Sequence, residues 1–328
     1  MIRLAIVGTG SIAGEFAAAA RQSGQLAVAA VYSRRRETGE AFAARHCPEA
    51  AVLTDWEALC ASEVEAVYIA SPNGCHYAQS RAVLKSGKHV LCEKTITADA
   101  AQFRELSALA AARGLVYMDA IMSLHAASRP LLRQAVAGIG RIAAARLDFC
   151  QRSSRYDRMM RGERVNVFDM SLLGGTLMDL GVYCVYAAVD LFGEPQQVTA
   201  SAHFLPNGTD IAGTAVLRYD DFDAVLTYSK AAQSARGSEI LGDGGTVTLD
   251  SVSQYAGIAR VQNGQTTPLY PIPSKVEIMT GEAADFAAYI RGERLQEYAG
   301  AAAITQTVLR CMDDIKQSAG IRYKEEAR

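Results

Sequence analysis

The chain has no block of like charge: 33 Lys and Arg stand against 35 Asp and Glu in 328 residues, and the densest run is the SRRR at 33–36. Without a basic stripe or an acidic tail there is no electrostatic footprint for nucleic acid or an anionic membrane surface, which leaves small or neutral partners. Cysteine pairs are missing too. The seven cysteines, at 47, 60, 75, 92, 150, 184 and 311, form no CxxC and are odd in number, a pattern of reduced thiols in a cytosol rather than of a disulfide framework. The histidines, at 46, 76, 89, 125 and 203, have no ligand spacing with one another or with cysteine, so no metal site is expected. Long apolar runs are absent as well. MIRLAIVGTG offers a stretch too short for a signal-peptide core, and no run approaches membrane-spanning length. There is no internal repeat, low-complexity segment or long linker. The expectation is a soluble, cytoplasmic, globular protein.

What is present is a change of grammar partway along. The length exceeds what one ordinary core supports, so two domains are expected. Up to about residue 120, strand-like runs at 3–7, 26–32, 65–70, 88–92 and 115–120 alternate with helical segments, the pattern of an α/β, doubly wound parallel sheet. After Arg129 come a helix (129–137), a long strand (141–150), an irregular polar stretch (151–173) and a helix over 176–192. Strands follow near 196–205, 211–219, 222–230, 246–250, 254–262 and 265–270, with turns at PNGTD, YDDF, GDGG and QNGQ, and helices close the chain at 276–291 and 299–318. The second half therefore reads as an α+β domain with a large, mostly antiparallel sheet. The boundaries are set at 1–121 for a dinucleotide-binding domain and 122–328 for a substrate-binding and oligomerisation domain.

The first chemical signal is GTGSIA at 8–13, between the first strand and the first helix. Gly8 turns the chain, Gly10 lets backbone approach a pyrophosphate, and Ser11 and Ile12 open the helix whose positive N-terminus attracts the phosphates. The competing reading is a structural tight turn. GIGRIA at 138–143 has the same spacing, but it follows a helix and precedes a strand, and that context rejects it. The second strand runs into Ser33 and Arg34, where an enzyme for the non-phosphorylated cofactor would present Asp or Glu. A hydroxyl and a guanidinium suit a 2′-phosphate, so NADP(H) is preferred, with NAD(H) possible. Arg35 and Arg36 read as solvated. Ser71, Asn73 and His76 follow the strand EAVYIA at the edge where open parallel sheets bind ligands, and read equally well as a plain turn.

Lys94 follows the strand KHVLC at that same edge, as a proton donor or as an ordinary solvated lysine. Asp179 and Tyr183, four residues apart, share one face of a helix, either as a functional pair or as a surface one. Gly174, Gly175 and Gly181 around them point to close backbone approach.

GTGSIA, SPNGCH, CEKT and GGTLMDLGVYCVY, in that order, resemble the Gfo/Idh/MocA family of nucleotide-dependent oxidoreductases over essentially the whole chain. The segment from Gln151 to Pro195 resembles the branch with dimeric dihydrodiol dehydrogenases and related bacterial sugar-type dehydrogenases. The resemblance implies a Rossmann domain followed by an open-faced sheet domain, dimerisation through that sheet, and hydride transfer between NAD(P)H and a hydroxyl or carbonyl carbon. Lys94 matches the lysine of the family's Glu-Lys-Pro motif, with Glu93 before it on the cofactor side. Asp179 and Tyr183 match the Asp-x-Gly-x-x-x-His/Tyr helix in its tyrosine form.

Two positions depart from the pattern. Thr95 stands where proline is usual, and a non-proline cis bond costs about 3 kcal/mol, which puts in question the cis peptide that often positions this lysine. Leu173 replaces the first of three glycines. The implied chemistry has Lys94 or Tyr183 exchange a proton with the alkoxide while Asp179 orients both. Arg155, Tyr156 and Asn166, in a polar and aromatic stretch, are candidates for contact with a polyol, sugar or dihydrodiol; a solvated loop is the alternative for each. An NAD-linked sugar or inositol dehydrogenase and a non-catalytic, NADP-sensing regulator are the competing functions. Retention of Lys94, Asp179 and Tyr183 together favours an enzyme.

Overall fold

The computed structural model describes residues 1–323. The chain forms two compact units: Met1–His125 with Ser274–Ala302, and Ala126–Pro273 with the chain from Ala303 on. The single division at 121/122 read from the sequence does not contain this return of residues 274–302 to the first unit, and residues 324–328 of its second range lie outside the described residues.

In the first unit, β1 (Ile2–Val7), α1 (Ser11–Ser23), β2 (Leu26–Tyr32), α2 (Arg36–His46), β3 (Ala51–Leu53), α3 (Trp56–Ala61), β4 (Ala66–Ile69), α4 (His76–Lys85), β5 (His89–Glu93), α5 (Ala100–Ala112) and β6 (Tyr117–Ala120) alternate. The strands form one parallel sheet in the order β3-β2-β1-β4-β5-β6. Every residue of β4 is fully buried, and so are Leu4 to Val7 of β1, because helices cover both faces of such a sheet. Strand order reverses between β1 and β4, and that switch point opens a crevice beyond their carboxyl ends. The sequence reading missed β3: Ala51–Leu53 is apolar but too short to show a period, and none of its residues is buried.

The second unit contains α6 (Arg129–Ala137), β7 (Ile142–Cys150), α7 (Tyr156–Met160), α8 (Val182–Phe192), β8 (Gln197–Phe204), β9 (Asp210–Arg218), β10 (Asp223–Ser229), β11 (Ser238–Gly242), β12 (Gly245–Ser251), β13 (Ala256–Gln262) and β14 (Gln265–Tyr270). Its eight-stranded sheet runs β14-β13-β12-β11-β7-β10-β9-β8 and is antiparallel except where β10 lies parallel to β7. Ala224, Leu226 and Tyr228 of β10 are fully buried while Thr227 is exposed, the alternation of a sheet with one covered face. Helix α8 covers that face, and its residues 182–190 are all buried. The sequence reading also passed over β11, a five-residue strand that follows Gly237.

Helices α9 (Lys275–Ile290) and α10 (Leu295–Ala319) close the described chain, with α9 packed along α1 in the first unit. One expectation needs correction: Met170–Phe192 does have the length and composition of a membrane-crossing helix. Of its most apolar window, 83% is buried, because this segment is the core helix of the second unit.

Candidate active site

The cofactor-facing edge of the first unit is shaped by backbone. Gly8 has φ 112°, and a Cβ there would lie 2.5 Å from the Ala70 carbonyl oxygen, so only glycine lets the loops after β1 and β4 meet. A Cβ on Gly10 would instead project into open space, with nothing within 4 Å. The small residue at that point keeps the N-terminus of α1 approachable, and no acidic side chain in the first turn competes for its N–H groups. Ser11 is exposed and Ile12 half-buried beside it. These features fit a pyrophosphate cradle.

Ser33 is buried at the end of β2, and its N–H donates to the Leu53 carbonyl at 3.0 Å. Arg34 is exposed, and it has no ion pair among the described residues, whereas Arg36 pairs with Glu40 at 3.8 Å. Ser71 donates its hydroxyl to Gln79 at 2.6 Å, and Asn73 opens a single 3-10 turn before α4.

His76 is fully buried. Its Nδ1 lies 2.8 Å from the Thr95 carbonyl and its Nε2 2.8 Å from the Ser71 carbonyl. Burial pushes its pKa down, with help from Lys94 and against the pull of those two carbonyls. His76 thus lies between the loop after β4 and the loop after β5, with one ring nitrogen at each.

Lys94 is half-buried, and the Lys94–Thr95 peptide is cis, which answers the question raised by Thr95. Glu93, 9% exposed, accepts a hydrogen bond from the Tyr68 hydroxyl at 2.5 Å. Burial raises its carboxyl pKa, while Tyr68 and Lys94 pull the other way. Nearby, Glu282 of α9 is 1% exposed, and neither of its carboxyl oxygens has a hydrogen-bond partner among the described residues. Its pKa is raised well above the usual carboxylate range by burial, then by the charges of Glu93, Asp119 and Asp285. Nothing in the spacing points to this group, which lies 189 positions from Glu93 in the chain and comes near it through the returning helix α9.

In the second unit, Asp179 lies in a π-helical turn (Leu177–Gly181) that leads directly into α8, where Tyr183 is buried with its ring 5.5 Å from that of Phe149. The wide turn is pinned by Asp210 of β9. One carboxylate oxygen of Asp210 accepts the Leu177 N–H at 2.7 Å, and its carbonyl accepts from the Thr176 hydroxyl at 3.1 Å. Gly175, at φ 145°, makes room for this cap, since a Cβ would fall 2.1 Å from the other Asp210 oxygen. A Cβ on Gly181 would press on the Tyr228 ring at 3.0 Å, and one on Gly174 would sit 2.7 Å from the Asp169 nitrogen. The three glycines thus do mark close approach. Leu173 holds φ 53°, the left-handed conformation that glycine takes without strain. Asp210→Ala is expected to remove the cap and lower stability by about 1–2 kcal/mol, read as a lower melting temperature.

The polar stretch is more ordered than expected. Arg155 caps α7 and is exposed, as is Asn166, while Tyr156 packs toward a small cluster of Val165, Phe168 and Ile211. A cleft of about 360 Å³ lies beside them, lined by Met159, Arg164, Phe168, Asp169, Ser171 and Asn207 among others. None of the three expected substrate residues lines it, because the turn of α7 directs Tyr156 into the cluster. Arg164 holds Asp169 at 2.7 Å, and the Ser171 hydroxyl and N–H bond the same carboxylate, which keeps its pKa low. The sequence reading also missed Lys230, just beyond β10. Its ammonium pairs with the Asp179 carboxylate, and no spacing rule links residues 51 positions apart.

Comparison with known proteins bears on both units. Residues 2–120 match the model of the oxidoreductase family GFO_IDH_MocA, NAD-binding Rossmann fold, and residues 131–248 match the GFO/IDH/MocA C-terminal domain. The chain is 36% identical to scyllo-inositol 2-dehydrogenase (NADP(+)) IolU of Bacillus subtilis, covering 98% of each protein. It is 25% identical to trans-1,2-dihydrobenzene-1,2-diol dehydrogenase of Homo sapiens, over 100% of this chain and 99% of that one. Among solved structures it resembles KijD10, a 3-ketoreductase from Actinomadura kijaniata in complex with NADP and TDP-benzene, with a TM-score of 0.85 at 24% identity over 97% and 98% of the two chains.

Proposed function

Because the chain belongs to the GFO/IDH/MocA oxidoreductase family, we propose that it is an NADP(H)-dependent dehydrogenase or reductase of a small polyol, sugar or dihydrodiol. The observation that carries this reading is the edge of the parallel sheet, where the Gly8 elbow, the open approach at Gly10, Arg34 and Lys94 follow β1, β2 and β5. The NADP-dependent inositol dehydrogenase at 36% identity supports the cofactor and the polyol class, and the dihydrodiol dehydrogenases support the same kind of carbon.

When bound, the nicotinamide supplies the hydride or takes it in the reverse direction. The backbone around Gly8, Gly10, Ser11 and Ile12 receives the pyrophosphate, and Ser33 and Arg34 receive the 2′-phosphate. Ser71, Asn73 and Glu93 would hold the nicotinamide half. Lys94 or Tyr183 holds the proton that the substrate oxygen gains on reduction and removes it on oxidation, and Asp179 keeps its partner group oriented. Arg155, Tyr156 and Asn166 come from the stretch that meets the substrate, joined by Arg164 and Asn207 of the cleft.

We further infer a cytoplasmic homodimer. None of the seven cysteines forms a disulfide among the described residues, and the family branch that the sequence resembles dimerises through the sheet of its second domain. A monomeric mass by light scattering would refute the dimer.

Fluorescence titration with NADPH and NADH, followed by a panel of inositols, sugars and dihydrodiols under reduced-nicotinamide absorbance, tests the function. NADPH is expected to bind more tightly and at least one panel member to be turned over. Tight binding with no turnover of any member would favour the regulator instead. Arg34→Ala is expected to collapse the preference for NADPH over NADH by tenfold or more, the loss of about 1.4 kcal/mol of charge-assisted hydrogen bonding. An unaltered ratio places the 2′-phosphate elsewhere.

A further inference from the structure

Lys230 is a cation in an unusual place. Its side chain is 5% exposed, and its ammonium pairs with Asp179, itself 34% exposed, and lies 5.6 Å from the centre of the Phe168 ring. The backbone around it is fixed on both sides. Its N–H donates to the Ile211 carbonyl at 3.0 Å, and its carbonyl accepts from the Ser153 N–H at 2.9 Å. One residue therefore links β9, the start of the polar stretch and the turn that bears Asp179. A buried ammonium in such a position depends on its carboxylate partner, with the Phe168 ring as a weaker support, so the contact is closer to an obligatory pair than to a surface ion pair.

We propose that Lys230 is a positioning residue, which fixes the Asp179 carboxylate as an anion in one orientation for the proton transfer at the substrate oxygen. The proposal rests on the reading of Asp179 as a member of the catalytic set. Geometry separates the two roles. Lys230 sits at the base of the pair and Asp179 at its more exposed end, so the carboxylate, not the ammonium, is the end open to a ligand. A carboxylate held by a cation is also a poorer base, which leaves the proton to Lys94 or Tyr183.

Other groups facing this turn are the carboxyls of Asp210 on β9 and Asp148 on β7, and the titratable Tyr183, Cys184 and Tyr228. None of these is a cation, so removal of the Lys230 ammonium is a change that moves Asp179 toward protonation. Carboxyl-labelled aspartate, followed by carbon NMR and assigned through Asp179→Asn, reads this directly. In the wild-type protein the Asp179 resonance is expected to titrate below the ordinary aspartate value of about 3.9. In Lys230→Met the midpoint rises by at least one unit, and on any substrate of the wild-type enzyme kcat falls at least tenfold while the NADPH Kd and the KM change less than threefold. A small aliphatic amine added to Lys230→Ala recovers part of kcat.

A wild-type midpoint at or above the ordinary value overturns the proposal, and so does an unmoved midpoint in Lys230→Met. If Lys230→Met does not fold, the wild-type midpoint alone decides. Loss of kcat with no recovery by amine and a matching fall in melting temperature assigns Lys230 a purely structural role. If the wild-type protein turns over no panel member, the polyol reading fails while the carboxyl titration still decides the role of Lys230.

Discussion

Lys94→Ala is expected to lower kcat by about 10²–10⁴-fold, with the NADPH Kd within a few-fold of wild type. Removal of a general acid–base group costs about 3–5 kcal/mol in the transition state, whereas the phosphate site proposed above is built from the loops after β1 and β2 and not from this side chain. The lysine is half-buried on a loop braced by His76, so truncation to alanine should leave the fold intact. Single-turnover reduction measured beside Tyr183→Phe assigns the donor. A large loss in Lys94→Ala alone makes Lys94 the group that moves the proton, and a large loss in Tyr183→Phe alone gives that task to the phenol. A kcat in Lys94→Ala within twofold of wild type ends the catalytic assignment of Lys94.

The second large effect concerns stability and pH. Glu282 has a folded-state pKa raised well above its unfolded value, chiefly by burial and then by Glu93, Asp119 and Asp285. The sign follows from linkage. Below about pH 4.5 the carboxyl is neutral in both states and has no pH-dependent effect. As pH rises above that, the unfolded chain ionises and gains while the folded chain stays protonated, so stability is lost up to the folded pKa. Each unit between the two values costs about 1.4 kcal/mol. Glu282→Gln keeps the shape and the neutral form, so its melting temperature relative to wild type should climb steadily from pH 5 to pH 8. A fixed difference across that range would mean that the buried carboxyl does not titrate as the fold implies. The amide's own hydrogen-bonding demand adds only a constant offset, which is why the slope, not the absolute value, carries the test.

Much of the cofactor half was legible because it depends on local rules. The apolar runs of β1, β2, β4 and β5, the elbow at Gly8 and the Ser33–Arg34 pair are contiguous signals, and a parallel sheet brings their ends to one edge whatever the rest of the chain does. Asp179 and Tyr183 were legible for the same reason, as a four-residue spacing near the start of a helix. The surroundings of His76 were not: its full burial and the two carbonyls at its ring nitrogens come from loops that only the folded sheet brings together. Arg155, Tyr156 and Asn166 were named on polar and aromatic character alone, which does not say which side chains line the cleft beside them.

By itself, the sequence determined most of the order of strands and helices, the glycine elbow after β1 and the four-residue spacing of Asp179 and Tyr183, because each is set by neighbours within a few positions. Tertiary structure alone decided which distant charges meet. Lys230 reaches Asp179 because β10 ends beside the turn that opens α8, and Glu282 comes within electrostatic reach of Glu93 because α9 returns to the first unit. Such pairs leave no spacing in the chain; burial, which strips water from both partners, is what makes them matter.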